Sequence, residues 1–245
     1  VCSCRHSFDV ASGGYINLLP PSAKSHGDNK AMVQARRELL DSGIYKPFCD
    51  ALTQLASAHL PQNAVVWDSG CGEGYYCSQL SEALNLPLTG LDISKEAVRC
   101  AAAKYKGHRW LCGTAAHLPI ADESVGVLMS MFALTMPQEF RRVLRKDGIF
   151  IQVLAAQDHL MGLKSIIYPE ILLKDKDSVP TLEGFELVQS TPVRFEFTVE
   201  GEQIANLLSM TPHFWRISAE GAKRLKATET LTDTASCVVN VYKLA

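Results

Sequence analysis

Asp68, Gly70, Gly72, Glu73 and Gly74 are the residues of this chain best suited to chemistry. They lie in Val65-Val66-Trp67-Asp68-Ser69-Gly70-Cys71-Gly72-Glu73-Gly74-Tyr75-Tyr76: an apolar run ending in an acid, three glycines at alternate positions, then the start of a helical pattern. A strand, a tight turn and a helix N-terminus in that order let a ligand lie against bare backbone. Spacing removes two ligand classes. A phosphate-binding P-loop needs Lys-Ser or Lys-Thr after its last glycine, where this chain has Tyr75-Tyr76. A dinucleotide fingerprint reads G-x-G-x-x-G, and Tyr75 stands in place of its third glycine. Asp68 and Glu73 would repel a pyrophosphate and attract a ligand with amino, sulfonium and hydroxyl groups. S-adenosylmethionine carries all three. The competing reading is a purely structural glycine turn.

Asp92, in Leu88-Thr89-Gly90-Leu91-Asp92-Ile93-Ser94, ends a second short apolar run. It lies ~20 residues past the loop, where doubly wound folds hold the ribose hydroxyls of an adenosine. Its two oxygens can accept from both the 2′ and 3′ hydroxyls. Taken alone, Asp92 could belong to the N-cap region of a helix beginning near Ser94. Beside the glycine loop, the ribose reading is favoured.

The elements that must position these residues follow from periodicity. From residue 64 the chain alternates strand and helix: strands over 64–68, 86–91, 109–112, 125–131 and 149–155, helices over 75–84, 95–105 and 138–145, and a turn at 146–148. Such alternation predicts an α/β doubly wound, mostly parallel sheet with right-handed crossovers and ligands at the carboxyl ends of its strands. Asp68, Asp92, Gly113 and Phe132 fall at such ends. The first sixty residues stand outside that pattern: a short strand near 14–19, a polar loop over 20–30, and helices over 31–41 and 45–59. The last third changes style, with extended segments over 184–199 around Pro192, a helix over 202–210, another over 222–227 and a strand over 235–244. A late antiparallel hairpin, adding an antiparallel strand to the parallel sheet, fits this.

At 245 residues with 47% hydrophobic content, the chain suits one large domain with a small appendage. We divide it into residues 1–30, a small N-terminal module, and residues 31–245. A net charge of −2 does not announce a nucleic-acid binder, although a local patch would suffice for one. No apolar run reaches the ~18 residues of a membrane span, and no signal-peptide pattern opens the chain. The eight cysteines form no secreted disulfide framework and read as reduced core thiols, which points to the cytoplasm. Cys2 and His6 form Cys-x3-His, half of a zinc site; four ligands are needed, and no second close pair lies nearby.

The Asp68…Gly70-Cys71-Gly72-Glu73-Gly74…Asp92 pattern resembles the class I methyltransferases over residues 64–155. A narrower resemblance spans nearly the whole chain, to the bacterial 23S ribosomal RNA guanine-N1 methyltransferases, the group that includes a tylosin-resistance enzyme. It is carried by Cys2-x3-His6-x-Phe8-Asp9, Gly14-Tyr15-Ile16-Asn17-Leu18-Leu19-Pro20, Met32-Val33-Gln34-Ala35-Arg36-Arg37, Asp41-Ser42-Gly43-Ile44-Tyr45-Lys46-Pro47, His159-Leu160-Met161 and Met210-Thr211-Pro212-His213-Phe214-Trp215-Arg216. All of these lie outside the general methyltransferase signature.

The resemblance implies a Rossmann-like class I methyltransferase domain behind an N-terminal zinc module. It implies S-adenosylmethionine as donor and N1-methylguanosine in a hairpin of 23S ribosomal RNA as product. Cofactor contacts come from positions matching Tyr45, Gly72, Glu73 and His159. The family's zinc ligands are a Cys-x2-Cys pair, then a Cys and a His. Only the last two match here, at Cys2 and His6, and the missing pair would lie upstream of Val1. A second departure follows the fourth core strand, where relatives carry a Tyr-Ala-Pro-Cys-like run and this chain has Phe132-Ala133-Leu134-Thr135. In the general fold that segment faces the transferred methyl.

Methyl transfer from a sulfonium is an in-line displacement, so alignment is the main task. Guanine N1 carries a proton that must leave, and no residue stands out as its base. A paired guanine hides N1, so the base must be unpaired or flipped out, and aromatic rings and Arg planes recognise such bases by stacking. Trp215 and Arg216 could stack a base, and Arg36 and Arg37 could hold phosphate. The plainer readings are a core tryptophan and a solvated helix face. A small-molecule methyltransferase and a cofactor-binding protein without catalysis are the alternatives, and the sequence, compatible with a homodimer, leaves the oligomeric state open.

Overall fold

Strand residues of period two send alternate side chains to opposite faces, and this chain fills both faces with apolar groups. Val66 joins one apolar cluster and its neighbour Trp67 the other; Val127 and Leu128, and Ile149 and Phe150, divide the same way. A sheet buried on both sides results, with helices covering it. The computed structural model describes residues 7–20, 22, 27–171 and 177–245.

The described elements are β1 (Ile16–Asn17), α1 (Lys30–Asp41), α2 (Lys46–His59), β2 (Val66–Ser69), α3 (Tyr75–Leu84), β3 (Leu88–Asp92), α4 (Lys95–Lys104), β4 (Arg109–Cys112), β5 (Val125–Met131), α5 (Pro137–Val143), β6 (Leu144–Ala155), α6 (Met161–Ile167), β7 (Phe185–Glu200), α7 (Glu202–Ser209), a 3₁₀ turn (Pro212–Trp215), α8 (Ala219–Lys226) and β8 (Thr230–Leu244). The sheet order is β1-β4-β3-β2-β5-β6-β8-β7. Pairing is parallel from β1 to β6 and antiparallel for β6–β8 and β8–β7. The strand order reverses beside β2, between β3 on one side and β5 on the other. Such a switch point opens a crevice at the carboxyl ends of the strands. None of the described helices is long and apolar enough to cross a membrane.

Several elements differ from the sequence reading, among them α6, which it did not include, and α8, which starts before the helix expected over 222–227. The N-terminal strand is only two residues long, yet it joins the main sheet, with Ile16 opposite Leu111. β6 starts at Leu144, not at residue 149: Leu144, fully buried, pairs with Val125 before the chain bulges and resumes with Ile149 opposite Val127. The helix before it therefore ends at Val143. The segments around Pro192 form one continuous strand of 16 residues. Proline is tolerated there because β7 is the outer strand, where a missing N–H breaks no second ladder. The connection from β7 to β8 is no tight turn; it carries α7, the 3₁₀ turn and α8.

Candidate cofactor and substrate site

The turn after β2 is shaped by what surrounds its glycines. Gly70 has φ +95°, and a Cβ there would lie 2.5 Å from the Ala133 Cβ. Gly74 has φ +86°, and its Cβ would lie 2.6 Å from the Trp110 ring. Gly74 thus supplies the close helix-to-sheet approach that a dinucleotide fold assigns to its third glycine, which explains why Tyr75 can open α3. The turn is held by its own N–H groups. Those of Gly70 and Cys71 donate to the Leu91 carbonyl (2.8 and 3.0 Å), and that of Gly74 donates to the Cys71 carbonyl (2.9 Å).

The Gly72 N–H donates to Asp92 Oδ2 at 2.8 Å, and the Ser94 N–H to Asp92 Oδ1 at 2.7 Å. Ser94 is itself the N-cap of α4, accepting from the Ala97 N–H, and its hydroxyl donates to the Asp28 carbonyl at 2.7 Å. The two sequence readings of Asp92 therefore meet: the cap is Ser94, and Asp92 ties the cap to the glycine turn while it lines the cavity beside it.

That cavity, of about 780 Å³, lies at the switch point. Its size is within the range of small-molecule sites. Tyr45, Asp68, Gly70, Gly72, Glu73, Asp92 and His159, all expected at a cofactor site, are brought together in its wall. Asp68 Oδ1, Glu73 Oε2 and the hydroxyls of Tyr45 and Tyr76 are buried without a hydrogen-bond partner among the described residues. Each such group costs ~1–3 kcal/mol when left unmet. Four around one cavity mark a place where a polar ligand completes the bonding.

Desolvation pushes the Asp68 carboxyl up to about 7, and the Glu73 carboxyl also to about 7 against the opposing pull of Lys104 and Arg36. Asp92 is raised too, by burial, opposed by the N–H groups of Ser94 and Gly72. A ligand bringing positive charge and hydroxyls would reverse these penalties. S-adenosylmethionine fits that donor set.

His159 stands across the cavity from the glycine turn, after β6. Its Nδ1 accepts from the Ser236 N–H at 3.1 Å, which puts the ring proton on Nε2. Phe132 lies next to it, rings 6.2 Å apart and 26° from parallel. Phe132 holds φ +53°, uncommon for an aromatic residue, and the residue is 41% exposed. The segment after it is anchored by Gln152, whose Nε2 donates to Thr135 Oγ1 at 2.8 Å.

The remaining expected residues separate. Trp215 is 68% exposed and lines the mouth, so the core reading of it fails. It is held out on the 3₁₀ turn between α7 and α8. Arg216 is exposed beside it. Arg36 and Arg37, adjacent in sequence, diverge: Arg36 enters the cavity wall and pairs with Asp28, while Arg37 faces outward near Asp41 (3.7 Å). Cys2 and His6 lie outside the described residues. Among the described residues no group of three or more His, Cys, Asp or Glu could hold a metal. Tyr76, Phe132, Lys164 and His213 also line the cavity and were not singled out as ligand contacts from the sequence. Phe132 carried a signal, since it directly follows β5, and His213 lies in a segment that carried the family resemblance; Tyr76 and Lys164 carried none.

Sheet, switch-point cavity and late antiparallel strands together define a class I methyltransferase. The chain matches the crystal structure of a SAM dependent methyltransferase from Aquifex aeolicus with a TM-score of 0.53, at 14% identity, over 89% of this chain and 100% of that one. A family model described as Methyltransferase domain matches residues 67–152, and one described as RlmA, N-terminal, a zinc ribbon, matches residues 1–26. A protein of Micromonospora griseorubida, provisionally named 23S rRNA (guanine-N(1)-)-methyltransferase, is 31% identical over 99% of this chain and 89% of its own length. The 23S rRNA (guanine(748)-N(1))-methyltransferase of Streptomyces fradiae is 32% identical over 87% of this chain and 79% of its own length. The chain belongs to the 23S rRNA (guanine-N1)-methyltransferase family, which is S-adenosylmethionine-dependent.

Proposed function

We propose that this chain methylates N1 of a guanine in a hairpin of 23S ribosomal RNA. The observation that carries the reading is one cavity with two unlike ends: an acidic floor with unmet polar atoms, and a mouth lined by Phe132 and the exposed Trp215. S-adenosylmethionine, when bound, supplies a methyl group on a sulfonium. Asp92 accepts from ribose hydroxyls with the lone pairs that the Gly72 and Ser94 N–H groups leave over. Asp68, Glu73 and the Tyr45 hydroxyl meet polar groups of the amino-acid end, and the glycines let that end approach the backbone. His159 lines the same cavity, its ring oriented by the Ser236 N–H. Phe132 and Trp215 receive a base swung out of its hairpin, and Arg37 and Arg216, outside the cavity, meet RNA phosphates.

Residues 1–30 carry, in this reading, a zinc-ribbon module to which Cys2 and His6 contribute ligands, and residues 31–245 form the methyltransferase domain; the division is not sharp, because Ile16–Asn17 pair with the main sheet and Asp28 lines the cavity. The module's part is to shape the RNA surface, not to take part in methyl transfer. A cytoplasmic location, beside ribosomal RNA, accords with this.

The test is transfer of labelled methyl to 23S RNA that lacks its own N1-methylguanine, with zinc supplied and cofactor binding shown by calorimetry. Because N1-methylation blocks the Watson–Crick edge, reverse transcription stops at the product. Incorporation at a guanine with such a stop is expected. No incorporation by protein that binds the cofactor would overturn the RNA reading.

A further inference from the structure

The floor of the cavity is acidic, and four backbone donors of the turn beside it are already committed. Asp68 and Glu73 suit the amino and sulfonium groups of S-adenosylmethionine and Asp92 its ribose, but its amino-acid end also carries a carboxylate, which such a floor repels. At a glycine turn leading into a helix, backbone N–H groups are the usual holders of an anion. Here those of Gly70, Cys71, Gly72 and Gly74 all donate within the protein. With those four N–H groups taken, a side-chain cation is the better-placed partner for the carboxylate.

Arg36 is placed for this. It reaches from α1 into the cavity wall, its side chain 22% exposed, with Nη1 3.8 Å from the position a Cβ on Gly72 would take. It pairs with Asp28, and Nη2 reaches the Met210 carbonyl at a long 3.4 Å. A guanidinium carries five N–H donors in a planar fork matched to carboxylates, so it can hold Asp28 and bridge to a second one. Lys164 also lines the cavity, but on α6, which follows β6, two strands from the glycine turn.

We propose that Arg36 binds the carboxylate of the cofactor's methionine moiety. This rests on the S-adenosylmethionine assignment, and it replaces the phosphate-binding role that the Arg36-Arg37 pair suggested. Arg36 then joins three parts of the chain around the ligand: Asp28 before α1, the turn after β2, and Met210 after α7.

Calorimetric titration with S-adenosylmethionine and with its decarboxylated analogue tests the assignment without reading activity. The wild-type chain is expected to bind the complete cofactor at least tenfold more tightly than the analogue. Arg36→Met should lose most of that preference while binding the analogue within threefold of wild type. Arg36→Lys, which keeps the charge but not the fork, should fall between. RNA affinity and its salt dependence should not change in either variant. Equal weakening of both ligands by Arg36→Met, with the preference intact, would overturn the proposal and leave Arg36 a structural tie to Asp28. So would a wild-type chain that does not discriminate between the two ligands. A wild-type chain that binds neither refutes the cofactor assignment itself and this proposal with it; RNA methylation by wild type with no loss of preference in Arg36→Met refutes the proposal alone.

Discussion

Asp68→Asn should stabilise the ligand-free protein while it abolishes tight cofactor binding. Asp68 is 2% exposed, and its carboxyl is raised by burial from 3.8 to about 7. A carboxyl raised in the folded state contributes stability that is complete below the unfolded value and is lost as pH rises through the folded one. Above about 7 the ionised group is a standing cost, because ionised Asp68 is buried without full compensation. Between pH 5 and about 7 the wild-type chain should lose two pH units' worth of proton linkage, ~3 kcal/mol at 1.36 kcal/mol per unit.

Asparagine has no such slope. Its amide leaves an unmet donor worth ~1–3 kcal/mol, but that cost is the same at both pH values and cancels in the difference. Chemical denaturation of ligand-free wild type and variant at pH 5 and pH 8 gives that difference directly. The variant should gain ~3 kcal/mol relative to wild type on going from pH 5 to pH 8, equivalent to ~6–12 °C in Tm for a chain of this size. A gain below ~0.5 kcal/mol would refute the claim that the acidic floor is held at a cost that the ligand offsets. In the same protein, cofactor affinity should fall at least tenfold on substitution, and wild-type affinity should itself decline as pH drops through about 7, where Asp68 and Glu73 take up protons.

Asp92→Ala should weaken cofactor binding at least tenfold by calorimetry, since a hydrogen bond to a charged group contributes ~1.5–3 kcal/mol; unchanged affinity would remove Asp92 from the ribose. Gly74→Ala combines φ +86° with a Cβ 2.6 Å from the Trp110 ring and should destabilise the fold by ~1–3 kcal/mol in denaturant titration. A variant as stable as wild type would show that α3 and β4 are not in tight contact there. Trp215→Ala should leave stability within ~0.5 kcal/mol, because the ring is 68% exposed. It should raise the KM for RNA about tenfold or more, as loss of a stacked base contact would; an unchanged KM for RNA would exclude the stacking role.

The parts legible in the sequence were those governed by local period and turn chemistry. β2, the glycine turn and α3 were predicted within a residue or two, because an apolar run, a glycine turn and a helical segment follow one another within a dozen positions. Asp68 and Asp92 were legible as partners because both end parallel strands at the carboxyl edge, but Tyr45 and His159, from other elements, joined them only through the family resemblance. Contacts between distant segments were not legible. Nothing near Ile16 states that it will pair with Leu111, and nothing near Arg36 separates it from Arg37. Helix phase did that, turning the first toward Asp28 and the second toward Asp41. Trp215 misled in the opposite sense: a large aromatic residue is usually enclosed, but the 3₁₀ turn displays this one.

The outer strand β7 bears on how copies of this chain could associate. A strand of 16 residues at the end of a sheet is an invitation to further backbone pairing, and proteins with such an edge usually disarm it. β7 is disarmed three times over. A bulge interrupts its register between Leu187 and Gln189, Pro192 removes a donor at its middle, and Glu186, Arg194 and Glu196 place charge along it. The opposite end of the sheet is the two-residue β1, too short to seed a ladder. Two copies would therefore have to meet through side-chain surfaces rather than by extending one sheet into the next.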